Sequence, residues 1–320
     1  MKAIQVSEFG GPEQLLLRDI PEPKPTAGEV LIRIHAAGVN PADTYMRTGT
    51  YAVKPALPYT PGMDGAGEVL AVGSGVTSFK PGDRVYVGGA LCATYAEQTA
   101  CAEQFVHPLP QNVSFKEGAA LGVPYATANR ALFQKARLQA GETVLVNGAS
   151  GGVGIAAVQL AKAHGATVIG TAGTERGSKL VTDNGADHVL DHSSPELAKQ
   201  IHDLTAGKGP DVILEMLANV NLARDLQIIT RYGRIVIIGN RGNIEINPRD
   251  AMARDAIVYG MVLFNARPQD QAEIHAALGK LMSEGKIKPV IGTELPLDKA
   301  REAHEQVVKP GSYGKIILIP

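Results

Sequence analysis

Two rhythms of apolar and polar positions run along the chain. Before about residue 120, β-branched and apolar runs such as KAIQV, LLLRDI, EVLIRIHAAGV and AGEVLAVG are separated by Gly- and Pro-rich clusters, PEPKPTAGE among them. FKPGDRVYV reads as a turn entering a further strand. Strands and turns without long intervening helices predict a small barrel or sandwich. Further on, short apolar runs recur at regular intervals: ETVLVNG, ATVIGTA, DHVLDH, PDVILEM and GRIVIIG. Between them lie GVGIAAVQLAKAHG, ERGSKLVTDNG, SPELAKQIHDLTAG and NLARDLQIITRYG, helix-like stretches that each close on a Gly suited to a left-handed cap. This alternation predicts right-handed βαβ units in a parallel, doubly wound α/β sheet.

Past IVYGMVLF the alternation stops. One long helix, PQDQAEIHAALGKLMSEG, precedes the strand-like KPVIG and GKIILIP. Without a continuing βα rhythm, these last strands are expected to rejoin the first domain. The expected division is 1–122 for the first part of a β-rich catalytic domain, 123–262 for a nucleotide-binding domain, and 263–320 for the segment that completes the former. There is no repeat at solenoid spacing.

Length and composition narrow the function classes. At 320 residues, with 44% hydrophobic and 20% charged residues, the chain suits two domains of ordinary globular composition. A formal net charge of −1 supplies no global field toward nucleic acid or acidic membranes. No run is long enough to span a bilayer and MKAIQVSEFGGPE has no signal-peptide core, so a cytoplasmic location is expected. Cys92 and Cys101 are too few for a disulfide framework or a four-cysteine zinc lobe. Alternation in GGALCATYAEQTAC reads both as buried, strand-borne small apolar groups.

The strongest chemical signal is VLVNGASGGVGIAAVQLAKAHGA. An apolar strand, Val144 to Asn147, runs into Gly148-Ala149-Ser150-Gly151-Gly152-Val153-Gly154 and then a helix. Gly151 lets backbone approach a pyrophosphate, Gly154 lets the helix pack on the strand, and the helix N-terminus offers N–H groups to the phosphates. Ala149 stands where the usual fingerprint has its first Gly. A tight βα turn without a ligand is the bland alternative, but the strand before and helix after match the dinucleotide context. At the next strand end, where NAD sites carry an acidic residue about 20 residues on, stand Ala172-Gly173-Thr174. Without that carboxylate a 2′-phosphate meets no repulsion, and Arg176 and Lys179 lie just beyond, either to pair with it or as plain surface charges. NADPH is favoured over NADH. Ser150 stands in a phosphate loop rather than at a nucleophile elbow.

A second stretch, GVNPADTYMRTGTY, gathers Asn40, Asp43, Tyr45, Arg47 and Tyr51. Asn40, Tyr45 and Tyr51 are candidate catalytic donors, with Asp43 or Arg47 as orienters. Competing readings are a helix cap for Asn40, a dipole partner for Asp43 and a packed turn aromatic for Tyr51. Tyr125 is read as a buried helix aromatic rather than a wall of the site. The eight histidines show no metal spacing.

FGGPE, GVNPADTYMRTGTY, LPYTPGMDGAG, GASGGVG, EMLANVNL and GNRGNIEINPRD together resemble the zinc-free, zeta-crystallin-like quinone oxidoreductases of the medium-chain dehydrogenase/reductase superfamily, nearly end to end. The resemblance implies a GroES-like β-barrel domain completed by the C-terminal segment, a central Rossmann domain and a cofactor between them. It assigns Tyr45 to the nicotinamide end and Ser150, Gly151, Gly152 and Val153 to the phosphate loop. Gly173, Lys179 and His192 fall around the adenosine and its 2′-phosphate. Asn221, Ile238, Gly239, Asn240 and Arg241, and Met261, Val262 and Leu263, fall in cofactor-lining loops. Zinc-dependent relatives carry a ligand Cys where Val39 and Asn40 stand, and Gly-His-Glu where this chain has Gly62-Met63-Asp64; no metal site is expected.

Without zinc the acceptor must be electrophilic in itself, which suits a quinone oriented and hydrogen-bonded by the protein. Two other functions stay in view: NADPH-dependent reduction of an activated C=C bond in an enone or enoyl thioester, and an NADPH-binding structural or AU-rich-RNA-binding role, for which the chain has no RNA motif. A homodimer through the apolar run AIVYGMVLF, or a tetramer, follows from the resemblance and from the hazard of an open edge.

Overall fold

The computed structural model describes residues 1–51, 54–311 and 313–320. It divides into two compact units, residues 1–123 with 271–320, and residues 124–270. Among the described residues no helix is long and apolar enough to cross a membrane.

The first stretch supplies β1 (Lys2–Gln5), β2 (Leu16–Asp19), β3 (Glu29–Val39), β4 (Asp64–Val72), β5 (Arg84–Val87), β6 (Gln98–Ala102) and β7 (Val106–Pro108). Along β3 the burial alternates through Val30, Ile32 and Ile34 and then becomes continuous from Ala36 to Val39. The change reflects pairing: its first half lies between β4 and β6, its second between β4 and the last strand of the chain. The helix Pro41–Arg47 follows directly, with Pro41 at its first position and Asn40 at its N-cap.

The second unit contributes β8 (Thr143–Val146), β9 (Thr167–Ala172), β10 (His188–Asp191), β11 (Val212–Glu215), β12 (Arg234–Ile237) and β13 (Ile257–Gly260). They form one parallel sheet in the order β10-β9-β8-β11-β12-β13. The central strands β8 and β11 are apolar runs almost wholly buried, whereas edge strands β10 and β13 are largely exposed. Strand order reverses between β8 and β11, the switch point at which doubly wound sheets receive ligands beyond their carboxyl ends. This is the Rossmann arrangement, as the alternation predicts.

Three of the four predicted glycine caps take positive φ: Gly165, Gly185 and Gly207. The fourth does not. After the helix Ala218–Ile228 it is Tyr232 that turns left-handed, at φ 64°, while a Cβ on Gly233 would lie 2.3 Å from the Ile229 side chain. The glycine there relieves crowding rather than capping the helix.

The chain returns to the first unit with the helix Pro268–Ser283 and the strands β14 (Ile291–Pro296) and β15 (Lys315–Ile319). KPVIG enters its strand later than the pattern suggests, at Ile291. The seven-stranded sheet runs β14-β15-β3-β4-β5-β7, with β6 also on β3; β1 and β2 pair separately. Ile317 and Leu318 of β15 are fully buried, and Leu318 packs in one core with Val30, Ile32, Ile34 and Leu297.

Candidate active site

In the first unit, the end of β3 and the start of the next helix place Asn40 against the first residue of β4. Asn40 is 3% exposed, and its Nδ2 donates to Asp64 Oδ2 at 2.9 Å. Lys315, the first residue of β15, donates from Nζ to Asn40 Oδ1 at 2.5 Å and to Asp64 Oδ2 at 2.7 Å. The other oxygen of Asp64 accepts from the Val123 N–H at 2.7 Å. The amide of Asn40 is thus held by a buried ion pair, and with Asp43 it also forms a capping box at the helix start. Its backbone N–H donates to Asp43 Oδ2 at 2.8 Å.

Asp43 joins a second chain of contacts. Tyr95 Oη donates to Asp43 Oδ2 at 3.2 Å and meets His304 Nε2 at 3.2 Å, while Arg47 lies 3.4 Å from His304 Nδ1. Guanidinium can only donate, so His304 accepts at Nδ1, carries its proton on Nε2 and passes a donor to Tyr95. Burial, followed by the Arg47 charge, pulls His304 down to about 3 and keeps it neutral. Burial is also the main cause that lifts Asp43 to about 7; Asp64 adds to it, and the hydrogen bond from Asn40 opposes it. Asp43 Oδ1 is buried without a partner.

Tyr45 and Tyr51 come together through the backbone at the end of the helix: the N–H groups of Thr50 and Tyr51 donate to the Tyr45 carbonyl at 3.0 and 3.2 Å. Burial and the Asp43 charge hold the Tyr51 phenol above its ordinary value, so it keeps its proton.

In the second unit the sequence-assigned residues gather beyond the carboxyl ends of the parallel strands. After β8 the helix Gly152–Ala163 begins with Gly151 as N-cap, and its first bond of helical span runs from the Ile155 N–H to the Gly151 carbonyl. The N–H groups of Gly152, Val153 and Gly154 therefore have no carbonyl of the helix to meet. Thr171 fastens the loop to β9, its hydroxyl accepting from Gly148 N–H at 3.0 Å and its carbonyl from Ala149 N–H at 2.8 Å. Gly154 is needed for close packing, because a Cβ there would stand 2.5 Å from the Gly148 oxygen. Ser150 sits half-buried in the turn before the N-cap.

Beyond β9 and β10, Gly173 and His192 are neighbours; a Cβ on Gly173 would approach His192 Nε2 to 2.5 Å. Lys179 is exposed and paired with Asp183 at 2.9 Å, on a helix capped by Thr174. Beyond β11 and β12, Asn221 Nδ2 donates to Glu215 Oε1 at 3.1 Å, and the Ile238 and Gly239 N–H groups donate to the Glu215 carbonyl at 2.9 and 3.2 Å. Asn240 bonds within its own loop, and the Arg241 N–H donates to Asn219 Oδ1 at 2.9 Å. Beyond β13, Met261 and Leu263 are buried and Val262 is exposed.

Several residues that build these sites carry no local sequence signal of doing so. Asp64, Tyr95, His304 and Lys315 meet only in the folded first unit. In the second, Glu215 accepts from the Leu217 N–H and from Asn147 Nδ2, the latter at 2.5 Å, and Asn147 also reaches Asp225 at 3.3 Å. Burial and the neighbouring Glu215 push Asp225 well up, so it keeps a proton that it shares with Glu215. A carboxylate closing the apolar run VILE was the one available hint. Tyr125 is buried, as expected, with Oη donating to Gln159 at 2.7 Å. Cys101 lies on β6 as read, but Cys92 lies in the loop before it, where its N–H donates to the Gly62 carbonyl. Loop residues bonding to a neighbouring loop mimic the alternation of a strand.

The donor set does not fit zinc. Asn40 and Asp64 are already engaged by the Lys315 ammonium, Met63 stands beside them, and among the described residues no three His, Cys, Asp or Glu side chains form a group able to hold a metal.

Residues 26–129 match the alcohol dehydrogenase GroES-like domain family and residues 152–282 the zinc-binding dehydrogenase family. The quinone oxidoreductase of Rattus norvegicus is 50% identical over 321 residues, spanning 100% of this chain and 98% of that protein. The Escherichia coli quinone oxidoreductase solved with NADPH is 30% identical, with a TM-score of 0.89 over 100% of both chains. A solved NAD-dependent alcohol dehydrogenase is 31% identical, with a TM-score of 0.93 over 100% of both. With a GroES-like unit, a Rossmann unit and this degree of identity from end to end, the chain belongs to the quinone oxidoreductase family of the medium-chain dehydrogenases/reductases.

Proposed function

We propose that the protein is an NADPH:quinone oxidoreductase that works without zinc. The observation that carries the cofactor is the helix start at Gly152–Gly154, with its unpaired N–H groups and a Gly154 that no larger residue can replace without a clash. Ser150 to Val153 would hold the pyrophosphate. The corner Ala172-Gly173-Thr174 lacks the carboxylate that would repel a 2′-phosphate, leaving Lys179 and His192 to receive it. Asn221, Ile238 to Arg241 and Met261 to Leu263 would line the remaining length of the cofactor, and Tyr45 its nicotinamide end. Bound NADPH supplies the hydride or electron.

The protein's own part is positioning. The Lys315–Asp64–Asn40 cluster and the Asp43–Tyr95–His304–Arg47 chain pin both ends of the segment that presents Tyr45 and Tyr51. Their hydroxyls would donate to oxygen as charge develops on a quinone. Asn40, with its amide engaged by Lys315 and Asp64, would act by fixing that geometry. The domain assignment of 1–122 with 263–320 for acceptor and 123–262 for cofactor belongs to the same proposal. We further propose a homodimer through β13, whose open edge exposes Ile257 and Val258 at 45% and 41%.

A cofactor-and-acceptor panel tests the reading: NADPH against NADH, with benzoquinones and naphthoquinones against enals and enoyl thioesters. Loss of nicotinamide absorbance with quinones and NADPH, unaffected by chelators, is expected. Turnover confined to enals with saturation of the C=C bond would move the assignment to an alkene reductase.

A further inference from the structure

Cys92 and Cys101 are buried at 3% and 4% exposure, with Sγ atoms 2.8 Å apart. That is hydrogen-bonding contact of one thiol with the other, and longer than the S–S bond of about 2.05 Å. They are free thiols. They face each other because the loop before β6 folds back: the Thr99 hydroxyl donates to the Cys92 carbonyl, and the Cys92 and Thr94 N–H groups donate to the Gly62 carbonyl at 3.1 and 3.3 Å. The residues between the two cysteines include two that build the candidate site. Thr94 donates to the Asp64 carbonyl at 2.7 Å, and Tyr95 donates to Asp43.

We propose that Cys92 and Cys101 form a reversible, oxidant-induced disulfide that locks the loop carrying Thr94 and Tyr95 against β6. With a peroxide as oxidant the chemistry balances in two steps. One thiol attacks the O–O bond, is oxidised to a sulfenic acid and releases water. The other thiol then attacks that sulfur, the S–O bond breaks, a second water leaves and the S–S bond forms. Two thiols lose two protons and two electrons, and the peroxide is reduced to two waters. The proximity of Cys101 and burial both push the Cys92 thiol up, so the first step is slow. The second is fast, because the partner sulfur is already in contact. The adjacent second thiol favours this outcome over further oxidation, since it resolves the sulfenic acid before a second peroxide reacts. Reduction by a small dithiol restores the pair. The inference stands on the two sulfurs and the loop, independent of which acceptor the enzyme reduces.

The test treats the full-length protein with hydrogen peroxide, blocks residual thiols with an alkylating agent in denaturant, and reads intact mass and a non-reducing peptide map. Expected are a loss of roughly 2 Da, a peptide linking Cys92 to Cys101 and full reversal by dithiothreitol. The oxidised protein should melt about 3–8 °C higher than the reduced one, as a cross-link across a short loop implies. Cys101→Ala, a small apolar replacement at a buried strand position, should show neither the mass change nor the shift. Two alkylated cysteines after treatment, oxygen additions on either sulfur, or dimers linked between chains would each overturn the proposal. An unchanged melting temperature with the bond formed would overturn the locking role.

Discussion

The Lys315 ammonium lies 2.7 Å from Asp64 Oδ2, with the two side chains 4% and 0% exposed and 251 positions apart in sequence. One begins the last strand, the other begins β4, and both reach Asn40. The pair is buried beside Asn40, a position where, by sequence resemblance, zinc-dependent relatives carry a ligand Cys, and its cation is covalently part of the chain.

Truncating that cation should be costly. Lys315→Met leaves the Asp64 carboxylate buried with only neutral donors, and a loss of about 3–5 kcal/mol in denaturant-measured stability is expected. Adding Asp64→Asn removes the stranded charge and should recover a large part of it. Urea titrations of the single and double variants read the coupling; simple additivity would show that the two side chains do not act as a pair.

Asp43 should make stability depend on pH. Its carboxyl is raised to about 7, against about 3.9 in an unfolded chain. Between those values the folded state holds a proton that the unfolded state has released. The contribution is full below about pH 4 and is lost as pH rises through 7, by on the order of 4 kcal/mol. Asp43→Asn stays neutral, so its stability relative to the parent should improve from pH 4 to pH 8. Parallel curves would mean that Asp43 is ionised throughout.

Two glycines of one loop should behave differently. A Cβ on Gly154 meets backbone at 2.5 and 2.6 Å, whereas on Gly151 its nearest neighbour lies 3.9 Å away. Gly154→Ala should lower stability by about 1–3 kcal/mol. Gly151→Ala should leave the melting temperature nearly unchanged yet weaken NADPH roughly tenfold or more, because it fills the backbone's approach to the pyrophosphate. Calorimetric titration with NADPH, alongside thermal melts, separates the two effects.

Lys179 should discriminate between cofactors. Its pair with Asp183 is a surface contact, so Lys179→Ala should change stability by less than about 0.5 kcal/mol. Its KM for NADPH should rise roughly five- to tenfold while that for NADH stays put, through loss of a charge-assisted bond to the 2′-phosphate. An equal change for both cofactors would assign Lys179 to the helix surface alone.

Much of the second unit was legible in sequence because its information is local. A buried parallel strand is a short apolar run, a phosphate loop is a string of glycines between strand and helix, and both are read within about twenty residues. Misreadings arose where one local pattern serves two purposes. Gly233 follows a helix but makes room for Ile229, and Cys92 alternates like a strand residue while lying in a loop.

The first unit shows the opposite case. Its strand runs and the segment presenting Asn40, Tyr45 and Tyr51 are written in the chain, and so is the loss of a zinc-type ligand set, since each is a matter of which residues stand there. What meets Asn40 and Asp64 there was decided only by the fold. Ile316 pairs with Val39 across the seven-stranded sheet, and this register carries Lys315 to Asn40 and Asp64. Likewise Tyr95 reaches Asp43 from the loop before β6, and His304 reaches Tyr95 and Arg47 from near the C-terminus. Charged and polar side chains in such a cluster have no periodicity of their own. Each is tolerated in the interior only because the others satisfy it, and that mutual dependence exists only after the strands have paired.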